Sequence, residues 1–194
     1  MAESTGKGQK VYKYLIILVI VTAINALLAQ FAVIAWSSDP GASSLYFAIA
    51  FMIVFGLWFG VWGAIAAYIA CIIGAGLSAM PFGVNLYWSL ADLWQVLIPL
   101  VAFKAFRADV SLKTKRDFLI FIVFGWLLNC LVGAIWGSTM LAIGGVNSWS
   151  EVPLMMGTWF IGNLIVVVVI APLLLKYVTP YIVQRGWFVK GYWF

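Results

Sequence analysis

The sequence predicts an all-α integral membrane protein: a six-transmembrane-helix bundle with its N- and C-termini in the cytoplasm. Composition, the spacing of apolar segments and the placement of positive charge lead to this prediction. Of the 194 residues, 65% are hydrophobic and 9% are charged, whereas a typical soluble domain is about 45–50% apolar and about 25% charged. A soluble fold of this size cannot bury so much apolar surface, and large exposed patches aggregate. A lipid bilayer is therefore the expected solvent for most of the chain.

The apolar segments follow one another with short breaks made of turn-forming residues. A helix needs about 20 apolar residues to cross a bilayer, so the chain has room for one compact membrane domain. The predicted parts are a flexible cytoplasmic tail (1–10), one six-helix membrane domain (11–180) with apolar stretches at 11–36, 45–79, 86–106, 118–143 and 153–177, and a cytoplasmic or interfacial tail (181–194).

The apolar stretch 45–79 can form either one long helix or two short ones. The positions of the basic residues along the chain distinguish these two alternatives. All eleven basic residues lie in the N-terminal segment, the 104–116 loop or the C-terminal tail. Cytoplasmic loops collect Lys and Arg. Two crossings that turn near Trp58–Val61 put all eleven on the cytoplasmic side, whereas one crossing divides them between the two sides. We therefore expect two short helices, each near the lower length limit or partly re-entrant.

Tryptophans lie where membrane–water interfaces are expected. Trp36, Trp88 and Trp149 fall at the predicted outer interface, and Trp187 and Trp193 fall at the inner one. Tryptophan is enriched in such aromatic belts. Anchoring in the interface is the default interpretation for all five.

Several kinds of chemistry are excluded by the residues that the chain lacks. It has no histidine, and its two cysteines, Cys71 and Cys130, lie in apolar runs. His-ligated haem, most zinc sites and His-based triads need histidine, and membrane-embedded cysteines more often act as small hydrophobic residues. The sequence also has no Gly-rich phosphate loop. We expect no enzyme activity, no metal and no cofactor.

Polar residues on one helix face mark a candidate binding site. Asp92 and Gln95 lie inside the fourth predicted span, with Trp88 four residues before Asp92, so the three share a face; Asn85 lies one turn earlier, in the predicted loop. A carboxylate inside a span costs about 2.5–3.5 kcal/mol. A solvated helix end near the headgroups is one explanation. The other is a water-filled cavity that opens outward and receives a ligand.

Further polar and aromatic residues of the predicted outer half extend this candidate substrate-binding site. Each asparagine by itself is more often an interhelical hydrogen bond than a ligand contact. Carboxylates and tryptophans together suit a neutral or cationic flat ring, held by stacking and cation–π contact. The additional candidates are Asn129, Trp136, Asn147, Trp149, Glu151, Trp159 and Asn163.

The first predicted helix carries alanine at every third position, which gives a smooth face suited to docking another helix. This helix belongs either to the same chain or to a partner. The candidate partner-docking residues are Ala23, Ala26, Ala29 and Ala32.

The Gly-rich turn at 55–64, with the sequence FGLWFGVWGA, is followed by a small-residue helix and then by ADLWQ at 91–95. This order and the six-helix architecture resemble the substrate-binding S component of energy-coupling-factor vitamin transporters. The resemblance implies that the chain captures a vitamin or related micronutrient from outside the cell membrane. It also implies a transmembrane coupling protein and two ATPase subunits as partners.

Two other function classes stay open. The Gly-rich hydrophobic pattern also resembles the multi-helix membrane sensor domains that precede histidine kinases and cyclases. A structural subunit of a larger membrane complex would use the small-residue faces and the aromatic C-terminus.

Overall fold

The structure, a computed structural model, describes residues 2–35, 43–77 and 79–194, with side chains at 11–34, 45–77 and 79–194. The predicted interfacial position of Trp36 and the predicted turn at 37–41 lie outside the described residues.

The described chain is mainly helical, with one short antiparallel hairpin. The first helix includes residues 2–10, which the sequence predicts as a tail. In chain order the elements are α1 (Ala2–Phe31), β1 (Val33–Ala35), β2 (Ser43–Tyr46), α2 (Ala48–Phe59), α3 (Val61–Cys71) with a π-helical continuation (Ile72–Gly76), α4 (Phe82–Trp88), α5 (Leu90–Ala105), α6 (Lys115–Ile120) with a π-helical continuation (Phe121–Leu128), α7 (Asn129–Ile143), α8 (Val152–Tyr177) and α9 (Thr179–Gln184).

The helix lengths identify a multi-pass membrane protein. Among the described residues, four continuous helical stretches are long and apolar enough to cross a bilayer: Val11–Phe31, Phe82–Ala105, Lys115–Ile143 and Val152–Tyr177. The other two apolar helices, α2 and α3, are shorter than a full crossing.

The end of the first helix differs from the prediction. The sequence predicts a span to Trp36, but α1 ends at Phe31 and β1 pairs antiparallel with β2. Val33 and Ile34 are β-branched and favour extended backbone. The ladder with β2 also gives hydrogen-bond partners to backbone groups of β1, which lie outside the helix.

The stretch 45–79 breaks at Gly60, inside the predicted turn. Gly60 has a φ of 64°, which L side chains rarely adopt. A Cβ at this position would also overlap with the carbonyl oxygen of Tyr192. The break therefore needs glycine for two separate reasons.

The C-terminal tail packs against this turn. The amide of Val61 donates to Tyr192 O at 2.8 Å, and the amide of Val189 donates to Trp58 O at 2.8 Å. Val189 is fully buried. The segment 181–194, predicted as an interfacial tail, is thus partly inserted into the helix bundle.

Other chain segments meet the tail at the same end of the molecule. Lys13 Nζ, in α1, donates to Gly186 O. Lys104 Nζ, at the end of α5, donates to Lys190 O at 2.6 Å. The early part of α1, the α2–α3 turn, the 104–116 loop and the C-terminal tail therefore share one end, which we call the basic end.

Part of the alanine row of α1 packs inside the chain, which is one of the two alternatives that the sequence left open. Gly74 lies so close to α1 that a Cβ on it would overlap with the backbone of Ala26 and touch Ala29. Small residues permit this approach. Ala23 is exposed, and Ala32 lies just beyond the helix end.

Candidate binding site

Asp92 is buried among polar groups from other elements. It is 1% exposed, and Tyr46 Oη, in β2, donates to its Oδ2 at 3.1 Å. Cys71, in α3, is also buried and is the other polar side chain that acts on this carboxyl group. Within the described residues Asp92 has no ion-pair partner. Its side chain is therefore interior, which contradicts both expectations for this carboxylate, a solvated helix end and a water-filled cavity.

Asn85 has a structural role rather than a free amide. It lies inside α4, not in a loop, and it is fully buried. Its Nδ2 donates to Ile72 O at 3.1 Å, and its Oδ1 accepts from Ser89 Oγ at 2.8 Å. The side chain connects the π-helical segment after α3 to α4. Both of its polar atoms are used in this connection, so few hydrogen bonds remain for a ligand.

Gln95 and Asn129 are buried amides with unpartnered atoms. Gln95 is fully buried, and neither Oε1 nor Nε2 has a hydrogen-bond partner. It lies against Gly133, where a Cβ would overlap with the amide. Asn129 donates from Nδ2 to Gly125 O at 2.5 Å, but its Oδ1 has no partner.

Trp88 and Trp159 pack together, with ring centroids 5.8 Å apart and planes at 59°. Neither indole N–H has a hydrogen-bond partner. The Trp159 ring occupies the space that a Cβ on Gly137 would need. One turn further along α8, Asn163 is 2% exposed and its Nδ2 is also unpartnered.

Trp136 contributes to helix packing. Its indole N–H donates to Tyr87 O at 2.8 Å. Its ring lies edge-on to that of Trp94, with centroids 5.9 Å apart. This bond between α7 and α4 uses the only polar hydrogen of the Trp136 side chain. Trp136 therefore has no hydrogen-bond donor left for a ligand.

The last predicted outer loop lies apart from these buried residues. Trp149 is 63% exposed. Glu151 accepts from the Ser148 amide at 2.9 Å and from Asn147 Nδ2 at 3.4 Å. The Ser148 amide and the other donors of this loop hold the pKa of Glu151 below its usual value. Glu151 thus organises the loop, and Trp149 is placed at the surface.

The buried candidates meet along one face of α7. Asn129, Gly133 and Gly137 follow one another at four-residue intervals, so they stack on that face. Gln95 of α5 lies against the first glycine, and Trp159 of α8 against the second. We define the interior polar cluster as Trp88, Gln95, Asn129, Trp159 and Asn163.

Sequence reasoning missed the partners of Asp92. Tyr46 follows a turn-rich segment and reads as an ordinary interface aromatic, and Cys71 reads as a small hydrophobic residue. The one available signal was that no basic residue lies in the predicted outer half of the membrane domain, so Asp92 needed a partner other than a cation.

No family model, curated protein or solved structure matches the chain. Among the described residues, no group of three or more Cys, Asp or Glu side chains is arranged to hold a metal ion.

Proposed function

We propose that the chain is the small-molecule binding subunit of an uptake transporter in the cell membrane. The observation that carries the proposal is the interior polar cluster: amide and indole groups that are buried between α4, α5, α7 and α8 without partners. Leaving such a group unsatisfied costs about 1–3 kcal/mol. A ligand with complementary donors and acceptors removes that cost at several groups at once.

The proposed topology has six crossings, with both termini in the cytoplasm. It is supported by the contacts of Lys13, Val61 and Lys104 with the C-terminal tail at the basic end. Positively charged segments favour the cytoplasmic side. α5 and α8 run from the opposite end toward the basic end, so Trp88 and Trp159 lie toward the outside. In this topology α2 and α3 form a short pair of crossings that turns at Gly60.

The cluster favours a neutral, flat, hydrogen-bonding ligand over a cation. The carboxylate of Asp92 already accepts from Tyr46. In contrast, both amide atoms of Gln95 and the Nδ2 of Asn163 have no partner, and Trp88 and Trp159 supply an aromatic pair. Amides pair with ring nitrogens and carbonyls, and indoles stack on ring faces. A vitamin-like heterocycle combines these features.

The sequence carries no phosphate-binding loop for ATP. The energy that drives release of the ligand must therefore come from partner proteins. We propose a transmembrane coupling protein with ATPase subunits. Ala23 lies on an exposed face of α1 beside Val19 and Leu27. A small residue on such a face permits close approach of a partner helix.

The test is retention of ligand by the purified protein. The wild type and two amide variants, Gln95→Leu and Gln30→Leu, are isolated from native membranes, and bound small molecules are identified by mass spectrometry. Gln30 is an exposed amide on α1 and serves as the matched control. We expect a bound heterocycle in the wild type and in Gln30→Leu, and its loss from Gln95→Leu.

Two outcomes contradict the proposal. Equal retention by Gln95→Leu and the control places the ligand elsewhere. A wild type that carries no small molecule, and that co-purifies with a kinase or with unrelated membrane subunits, supports sensing or assembly instead.

A further inference from the structure

A cavity lies at the basic end, far along α5 from the interior polar cluster. Its volume is about 550 Å³, within the range of small-molecule pockets. α2, the 104–113 loop, α9 and the C-terminal tail form its walls. Its charged and hydroxyl-bearing lining includes Lys104, Arg107, Asp109, Ser111, Lys113 and Lys190.

The lining carries four cationic side chains and a single carboxylate. Asp109 is already paired with Lys113, with an N–O distance of 2.9 Å. Lys104 is held by backbone carbonyls of the tail. Arg107 and Lys190 have no ion-pair partner in the part of the chain that the structure describes. The one carboxylate of the lining is thus already paired with Lys113, and an anion held between Arg107 and Lys190 offsets the repulsion between their like charges.

The backbone around Arg107 supports a built site. Arg107 and Leu112 have φ values of 51° and 53°, in the left-handed region that non-glycine residues rarely adopt. Such conformations cost of order 1–3 kcal/mol each and cluster at functional sites. Here they occur at both ends of the short loop that carries Ser111 into the lining.

The remaining walls are apolar. Leu57, Phe103 and Phe188 line the cavity beside the cationic groups. The cavity therefore matches a ligand with an anionic head and an apolar body or chain. Basic pockets between membrane helices on the cytoplasmic side are typical sites for phosphate-bearing headgroups.

We propose that this cavity binds a phosphate-bearing anion, with Arg107 and Lys190 as its two cationic contacts. The phosphate belongs either to an anionic lipid headgroup or to a soluble phosphate compound. A bound anion links the 104–113 loop to the C-terminal tail and so stabilises the packing of the tail on the α2–α3 turn. This proposal is independent of the ligand proposed for the interior polar cluster.

The experiment compares the wild type with Arg107→Gln, Lys190→Gln and Lys115→Gln. Lys115 is an exposed cation of the same loop region that does not line the cavity, so its variant controls for net charge. Each protein is placed in nanodiscs of phosphatidylcholine, either alone or mixed with phosphatidylglycerol. Retained lipid is measured by native mass spectrometry. In a second arm, inorganic phosphate or glycerol 1-phosphate is titrated into the phosphatidylcholine discs while the thermal unfolding midpoint is followed.

If the phosphate belongs to a lipid, we expect the wild type to retain phosphatidylglycerol. If it belongs to a soluble compound, we expect added phosphate to raise the thermal unfolding midpoint of the wild type. Because charge-assisted hydrogen bonds contribute about 1.5–3 kcal/mol, Arg107→Gln and Lys190→Gln each weaken binding about tenfold or more, and Lys115→Gln leaves it unchanged. The proposal is overturned if no variant binds differently from the wild type, if all three weaken equally, or if neither arm detects binding. Since the two cavity variants lie in different segments, a folding defect in one leaves the other as a test.

Discussion

The Tyr46 hydroxyl donates to Asp92 Oδ2 at 3.1 Å, across 46 positions of sequence. Both residues are buried. The bond ties strand β2, and with it the β1–β2 pair after α1, to the N-terminal half of α5. Asp92 is therefore better described as the anchor of this hairpin than as a free ligand contact.

Replacement of Tyr46 by Phe should destabilise the protein, since the carboxylate of Asp92 loses a donor that water cannot replace in a buried position. A buried group left unsatisfied costs about 1–3 kcal/mol. The measurement is the free energy of unfolding in detergent micelles. Tyr87→Phe is the matched control, because Tyr87 is 64% exposed and should be near neutral.

A double-mutant cycle isolates this bond. If the bond carries the effect, Tyr46→Phe costs less in an Asp92→Ala background, which has no side-chain acceptor, than in the wild type. An equal cost in both backgrounds would assign the effect to packing of the ring rather than to the hydrogen bond.

Gly133→Ala should disturb the interior polar cluster, because the added methyl group overlaps with the buried amide of Gln95. Overpacking of this kind costs typically 1–3 kcal/mol. Gly157→Ala adds the same methyl group to α8 in open space, where the higher helix propensity of Ala predicts a neutral or stabilising effect. Thermal unfolding compares the two.

Shortening the opposing side chain tests the cause. Gln95→Ala should restore much of the stability that Gly133→Ala removes, since it frees the volume that the methyl group needs. A double variant no more stable than Gly133→Ala alone would mean that the strain lies in the helix backbone.

Membrane location followed from the length of the apolar runs, and the break in the 45–79 stretch followed from the distribution of the eleven basic residues along the chain. The end of α1 did not follow, because the β1–β2 pairing depends on a contact between two segments that are separate in the sequence. Long-range partners of this kind decide the structure of short β-branched segments.

For the candidate site, the sequence could predict which residues are buried but not which groups they contact. Burial of Gln95 and Asn163 follows from their place in apolar helices, so sequence reasoning found them. The roles of Asn85 and Trp136 depend on which carbonyl lies opposite each side chain, namely Ile72 O and Tyr87 O. Helix periodicity carries no information about the neighbouring helix, and these two were therefore assigned to the ligand.

Gly60→Ala should weaken the packing of the C-terminal tail. Gly60 and Gly186 both have a positive φ, 64° and 66°, so alanine is strained at either position, and at Gly60 the ψ of −139° also lies outside the left-handed helical region. Only at Gly60 does the new Cβ also overlap with Tyr192 O. We expect Gly60→Ala to unfold at a lower temperature than Gly186→Ala and to expose the tail to limited proteolysis. Equal midpoints and equal cleavage would show that the tail does not depend on this contact.

Glu151 should act on loop stability rather than on ligand binding. The Ser148 amide and neighbouring donors lower its pKa in the folded state, whereas an unfolded glutamate titrates near about 4.3. Its stabilising contribution is therefore fully present above that pH and is lost as the pH falls through the lower folded pKa.

Glu151→Gln removes this dependence. Its unfolding midpoint should lie below that of the wild type at neutral pH, and the gap should close on acidification. Ligand retention should match the wild type, because Glu151 is exposed in a loop outside the interior polar cluster. A gap that persists at low pH would show that the glutamine itself disturbs the loop, and a loss of ligand would return Glu151 to the binding site.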